Sequence, residues 1–206
     1  AGSEFPVKTQ TNNAQSLPSV TGLDDGSFVV TWESLGQESS EAENNKGIYG
    51  QLYNNSGTKA GSEFQVNSTT DNSQFNASVS KLSNGGFVVT WTSEFQGSDL
   101  QGIYGQLFDG NANHIGSEFL INTYTEGQQN DSTVTHLSDG GFVVVWESSA
   151  QDVSGVGIYV QRYNLVGNKT GNEFQINTNT RVEGSSASVA GLSDGGFVVT
   201  WMSYGQ

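Results

Sequence analysis

One apolar phrase recurs four times along this chain of 206 residues. The copies begin at Gly26, Gly85, Gly140 and Gly195. The first reads GSFVVTWESLGQ and the last reads GGFVVTWMSYGQ. Their tryptophans lie 59, 55 and 55 residues apart. A fixed period of this length indicates that the chain is built from one supersecondary unit used repeatedly.

The repeat predicts a single domain, 1–206, with units 2–60, 61–115, 116–170 and an incomplete 171–206. Each unit begins with a G-x-E-F motif and contains four short segments of β-type sequence, such as EFQVN, ASVSKL, GFVVTW and GIYGQLY. The sequences SNGG and SDGG between the second and third segments predict two-residue hairpin turns. No stretch has helical periodicity, so we predict four antiparallel strands in each complete unit.

Both faces of these strands are apolar. Alternation places Phe87, Val89 and Trp91 on one face of the third strand, and Val88 and Thr90 on the other. A sheet with one face in water would alternate more strictly between apolar and polar residues. The pattern therefore predicts an all-β, propeller-like fold in which each four-stranded blade is covered by its neighbours. A β-solenoid is one alternative, and a string of small sandwiches is another that fits two apolar faces poorly.

The charge of the chain limits its partners. Seven Lys and Arg face 21 Asp and Glu, giving a formal net charge of −14. Such a surface repels phosphate, so we expect neither nucleic acid nor an anionic membrane as a partner. There is no cysteine, which excludes disulfides and thiol catalysis. No cofactor is expected apart from Ca²⁺, for which the loops offer candidates without a D-x-D-x-D-G motif: Glu38, Glu41, Glu43, Asp99 and Asp152.

Several elements recur together in each unit. LSDGGFVVTW, then GIYVQRY, then GNEFQINT resembles the tandem repeats of very large secreted or cell-surface bacterial proteins, including adhesin-like and RTX-type proteins. The resemblance covers essentially the whole chain. It implies an extracellular repeat region with a propeller-like β fold and an adhesive or binding role. It brings no catalytic residues.

A polar motif, W-x-S-x-x-Q, follows each third strand where it leaves for a loop. It pairs Ser34 with Gln37, Ser93 with Gln96, Ser148 with Gln151, and Ser203 with Gln206. Amides beside aromatic rings suit the recognition of neutral sugars. Hydrogen bonding to a neighbouring blade explains the amides equally well.

Aromatic and acidic side chains complete the candidate set. Phe95 and Tyr204 have no counterparts in other units and are candidates for exposed stacking. The repeated tryptophans are further candidates, although core packing explains them better: Trp32, Trp91, Trp146 and Trp201. The glutamates of G-x-E-F could hold a sugar hydroxyl, but binding of backbone donors is favoured: Glu4, Glu63, Glu118 and Glu173.

No catalytic constellation is evident from the sequence. His114 and His136 are unrelated in position, and no nucleophile elbow or repeated carboxylate pair appears. We therefore expect no enzyme activity, but a secreted or cell-surface adhesion module with several similar carbohydrate sites. Its partner would be a glycan or another cell-surface ligand, without membrane insertion. The alternative is a scaffold or spacer repeat with no small-molecule ligand.

The incomplete last unit bears on ring closure. The strand GIYGQ does not follow the fourth copy of the phrase, while SEFPV near the start has no blade of its own. A simple closed ring would thus be one strand short. This predicts either a piece of a longer chain or a second copy that helps to close the gap.

Overall fold

A computed structural model describes residues 4–9, 12–37, 45–97, 100–149, 151, 155–178 and 184–203. The first sheet contains β1 (Gln15–Gly22), β2 (Phe28–Leu35), β3 (Lys46–Tyr53) and β4 (Lys59–Gln65). The second contains β5 (Gln74–Lys81), β6 (Phe87–Glu94), β7 (Gln101–Phe108) and β8 (His114–Leu120). The third contains β9 (Gln129–His136), β10 (Phe142–Ser149), β11 (Val156–Tyr163) and β12 (Lys169–Gln175). The fourth contains β13 (Gly184–Gly191) and β14 (Phe197–Ser203).

Each sheet is an antiparallel meander whose strands follow chain order, so each is one blade. The prediction of an all-β, propeller-like fold of four-stranded units with an incomplete last repeat is confirmed. The blades are offset from the repeat units by one strand, because the G-x-E-F strand of each unit pairs with the last strand of the preceding unit. Among the described residues, no helix has the length and apolar character needed to cross a bilayer.

The hairpin turns differ from the sequence prediction. In the second blade, Leu82 N–H donates to Gly86 O at 2.8 Å and Gly85 N–H donates to Leu82 O at 3.2 Å. The loop therefore has three residues, and only Gly85 has a positive φ, at 83°. The prediction of two-residue turns is wrong, since a three-residue turn closed by a left-handed glycine needs no positive φ at the preceding Asn or Asp.

Blades pack face to face, as the two apolar faces predict. Phe87, Val89 and Trp91 lie in one cluster with first-blade residues such as Val29. Val88, from the other face of the same strand, lies in a separate cluster with third-blade residues. Cross-strand aromatic pairs add to each face; the Phe87 and Phe108 rings stack with centroids 4.8 Å apart. Such pairs stabilise a sheet by about 0.5–1.5 kcal/mol beyond area burial.

The first strand of every blade lies toward the centre, where β1 contacts β5, β5 contacts β9, and β9 contacts β13. Each of these strands contains a bulge that shifts its register. At each bulge a residue other than glycine has a positive φ: Leu17, Asn76, Asp131 and Ser186. Four irregularities of the same kind therefore converge on the central axis.

Candidate functional site

The four bulges surround a central cavity of about 350 Å³. Residues of all four blades line it, including Leu17, Asn76, Asp131 and Ser186. A bulge re-aims a side chain out of the regular alternation, which is why such features occur beside functional sites. Asp131 is the ionisable group among the described lining residues.

Asp131 is a half-buried carboxyl with one strong hydrogen bond. Burial raises its pKa above the ordinary value, and a hydrogen bond from the Asn76 side-chain amide opposes that shift. The amide donor favours the ionised form of Asp131, while burial favours the protonated form.

Glu147 lies immediately behind the cavity wall and is 7% exposed. Its Oε1 accepts a hydrogen bond of 2.6 Å from the backbone N–H of Ser186, a lining residue. Burial raises the pKa of Glu147, the negative charge of Asp131 raises it further, and the Ser186 N–H opposes both. The negative charge of Asp131 therefore acts on Glu147, and the two carboxyls are electrostatically coupled.

Glu33 occupies the position equivalent to Glu147 in the first blade, but its surroundings differ. It accepts a hydrogen bond of 2.7 Å from Asn76 N–H and forms an ion pair of 2.9 Å with Lys46. The residue equivalent to Lys46 in the third blade is Val156. One carboxylate thus has a cation as its partner, whereas Glu147 accepts from one N–H donor among the described residues and has a like-charged neighbour.

This arrangement supplies the parts of an acid–base pair. Two carboxyls of different environment share a site, one facing the cavity and one withdrawn behind it. Environments that push the pKa values of paired carboxyls apart are what separates an acid from a base at one pH.

The predicted stacking residues lie mostly in the core. Trp91 and Trp146 are fully buried, Trp32 is nearly so, and Trp201 is half-buried against the third blade. Phe95 is 59% exposed. Tyr204 lies outside the described residues.

The W-x-S-x-x-Q motif forms internal hydrogen bonds rather than an open constellation. Ser34 Oγ donates to Gln37 Oε1 at 2.6 Å, and Gln37 Nε2 donates to Glu63 Oε1 at 2.7 Å. In the third blade, Ser148 donates to Gln151 and Gln151 donates to Glu173. Gln96 likewise donates to Glu118, while the buried Ser93 accepts a bond from Gln74. The motif ties the loop to the outer strand.

The remaining candidates fall outside the part of the chain that the structure describes. They are Gln206 of the motif and the Ca²⁺ candidates Glu38, Glu41, Glu43, Asp99 and Asp152. Within the described ranges, no group of three or more His, Cys, Asp or Glu side chains is placed to hold a metal ion.

The sequence interpretation missed the central carboxyls. The bulges are not evident from the sequence, and the other units have Leu17, Asn76 and Ser186 at the position of Asp131. Glu147 occupies the variable position x of W-x-S, where the other units have Glu33, Thr92 and Met202. The available signals were an aspartate that no other unit carries at this position, and a glutamate in the third strand that recurs only as Glu33.

Comparison with known proteins supports the fold. No protein-family model matches the sequence, and no curated protein is significantly similar to it. An endo-arabinase from Bacteroides thetaiotaomicron superposes with a TM-score of 0.57 at 14% identity over 89% of this chain. A Dyadobacter fermentans protein of unknown function superposes with a TM-score of 0.66 at 13% identity over 93% of this chain. An α-L-arabinofuranosidase from Lactobacillus brevis superposes with a TM-score of 0.56 at 13% identity over 92% of this chain. The chain spans 68%, 62% and 65% of these structures, respectively.

These structures correct the functional expectation. The sequence predicted a non-catalytic adhesion or scaffold module, and that prediction is wrong, because the named proteins sharing this fold are chiefly enzymes of the glycoside hydrolase class. The likeness at such low identity establishes the propeller-like fold.

Proposed function

We propose that this protein is a glycan-cleaving hydrolase whose reaction takes place in the central cavity. The observation that carries the proposal is the coupled pair Asp131 and Glu147 beside that cavity. Hydrolysis of a glycosidic bond uses two carboxyl groups, one that donates a proton and one that is ionised. The structural likeness to an arabinase and an arabinofuranosidase supports the same reaction class.

Glu147 is the proton donor of the pair. We assign it this role because burial and the negative charge of Asp131 both raise its pKa. Glu147 does not line the cavity, so in the proposed reaction its side chain turns from Ser186 N–H towards the substrate. It then protonates the leaving glycosidic oxygen as the bond from that oxygen to the anomeric carbon breaks.

Asp131 is the ionised partner, and it faces the cavity. Its carboxylate acts in one of two ways. It deprotonates the water that attacks the anomeric carbon, which inverts the anomeric configuration, or the carboxylate itself attacks that carbon, which leads to retention. Asn76 is a positioning residue: its side-chain amide donates to Asp131, while its backbone N–H is held by Glu33.

A neutral glycan suits the charge of the molecule. A net charge of −14 repels acidic sugars, whereas an uncharged chain enters without penalty. The arabinose-directed enzymes among the structural neighbours make arabinan the first substrate to assay.

The test is release of reducing ends from arabinan and a panel of neutral polysaccharides. We expect activity in the wild-type protein and a loss of about 10²-fold or more in Asp131→Asn and in Glu147→Gln. Asp71→Asn, an exposed carboxylate outside the cavity lining, is the matched control and is expected to retain full activity. Absence of hydrolysis across the panel, or full activity in Asp131→Asn, would overturn the proposal.

A further inference from the structure

A second cavity, of about 400 Å³, lies along the outer part of the third blade. It shares no lining residue with the central cavity. Its polar lining includes Gln151, Gln161, Lys169 and Glu173, and Tyr124 contributes an aromatic ring. The third blade has this cavity although it is built from the same repeat as the second blade.

The equivalent position in the second blade is closed by a threonine. Thr69 Oγ1 donates to Glu118 Oε1 at 2.6 Å and accepts from Gln96 Nε2 at 2.8 Å. These bonds join the loop, the motif glutamine and the outer strand into one network. Thr69 therefore adds two hydrogen bonds to the direct bond between Gln96 and Glu118.

Tyr124 replaces that threonine in the third blade. Its backbone carbonyl accepts a bond of 2.8 Å from Asn122, which fixes the loop as in the second blade, where Asn67 donates to Thr69 O. The Tyr124 hydroxyl donates to Glu126 at 3.4 Å, and Tyr124 is one of the residues that line the cavity. The third blade thus differs from the second at this position and also at Lys169, where the second blade has His114.

The groups facing this cavity have hydrogen-bonding capacity to spare. Glu173 accepts from Gln151 at 2.8 Å and from Thr123 N–H at 2.6 Å, and a carboxylate has about four acceptor sites. Lys169 donates one bond, of 2.9 Å, to Thr123 Oγ1, and an ammonium group has three protons. Gln161 does not add to this capacity, because its Oε1 is buried and the equivalent Gln51 and Gln106 have the same unpartnered oxygen.

The charges in the cavity select an uncharged ligand. A cation would meet Lys169, and an anion would meet Glu173. Partial removal from water lowers the pKa of Lys169, while the Glu173 carboxylate opposes that shift. Hydroxyl groups both donate and accept, so they match a lining that mixes ammonium, carboxylate and amide groups. An aromatic wall with a few convergent polar groups is the usual makeup of a small-ligand site.

We propose that this cavity is an accessory site that binds one neutral sugar residue of a glycan chain, with Tyr124 as its aromatic wall. It is separate from the central cavity, and it rests on the proposed function only for the choice of a glycan. The difference between Thr69 and Tyr124 separates the third blade from the second in this respect.

The test is direct binding of neutral arabino-, xylo- and gluco-oligosaccharides, measured by ligand-detected NMR at millimolar sugar. The Asp131→Asn variant is used as the parent protein, so that the probes stay intact. We expect saturable binding that falls at least tenfold in Tyr124→Thr, which restores the residue of the second blade and its hydrogen bonds. Leu100→Thr removes an exposed apolar side chain outside the cavity and is expected to leave binding unchanged.

Three results would overturn this proposal: no sugar binding in the parent protein, equal binding in Tyr124→Thr, or binding of glycine or glutamate in preference to the sugars. The outcome is independent of hydrolysis. Tyr124-dependent binding in a protein that cleaves no glycan would retain the accessory site and refute the proposed function. Hydrolysis without Tyr124-dependent binding would retain the proposed function and refute the accessory site.

Discussion

Three glutamates show how surroundings decide what one residue type does. Glu118 collects several donors at the outer strand, Glu33 pairs with Lys46, and Glu147 has one backbone N–H and a like-charged neighbour. Burial raises the pKa of Glu118 on its own, but hydrogen bonds from Thr69 and Ser68 together with one from Gln96 outweigh it and lower that pKa. For Glu147 the balance goes the other way. The first carboxylate belongs to the frame and the last to the candidate site.

We expect Glu118→Gln to destabilise the protein at neutral pH by about 1–3 kcal/mol, since it weakens a charge-assisted network of donors. The folded-state pKa of Glu118 lies below its ordinary value of 4.5. Its contribution is therefore present above that value and is lost as the pH falls through the folded-state pKa. Urea unfolding at pH 7 and near pH 3 measures the effect. An equal cost at both pH values would contradict the electrostatic explanation.

At the scale of elements, the strands are readable from local sequence and the bulges are not. Alternating apolar residues and the Asp-Gly and Asn-Gly turns predict the strands because strand period and turn chemistry are local properties. The bulges place Asn76, Asp131, Ser186 and Leu17 at positive φ. Asn and Asp tolerate this conformation, but a leucine gives no such signal. The position of each bulge depends on how the first strands of the four blades meet at the axis.

The bulge in β1 provides a test of this strain. Leu17 has a φ of 48°, and a left-handed conformation costs a residue with a Cβ roughly 1–2 kcal/mol. We expect Leu17→Gly to leave stability unchanged or slightly raised, because relief of strain offsets the entropy that glycine loses on folding. Val20→Gly, in the regular part of the same exposed strand, is the comparison and is expected to cost about 1 kcal/mol. Thermal unfolding that shows equal losses in both variants would refute strain at the bulge.

At the scale of the whole molecule, neighbouring blades bury what the repeat makes apolar. Val143 is fully buried between the third and fourth blades, whereas the equivalent Val198 on the far face of the fourth blade is 48% exposed. The sequence predicts this stacking, since every unit carries two apolar faces. It does not predict the carboxyl pair, because Asp131 and Glu147 acquire their meaning only when the blades converge on the axis. The secreted location and the Ca²⁺ site remain predictions.

The two valines measure what a neighbouring blade contributes. We expect Val143→Ala to cost about 2 kcal/mol through lost burial and the cavity left behind. Val198→Ala is expected to cost less than about 0.5 kcal/mol, because its side chain is half in water. Denaturant unfolding of both variants gives the comparison. Similar losses would show that the far face of the fourth blade is covered in solution.

An NMR titration of the carboxyl carbons of Asp131 and Glu147 tests the proposed acid–base pair directly. We expect Glu147 to titrate above its ordinary value of 4.5 and Asp131 above 3.8. We further expect Asp131→Asn to lower the pKa of Glu147, because a neighbouring negative charge has been removed. A Glu147 that titrates at or below 4.5, or that is unaffected by Asp131→Asn, would contradict a coupled acid–base pair at the centre of the propeller.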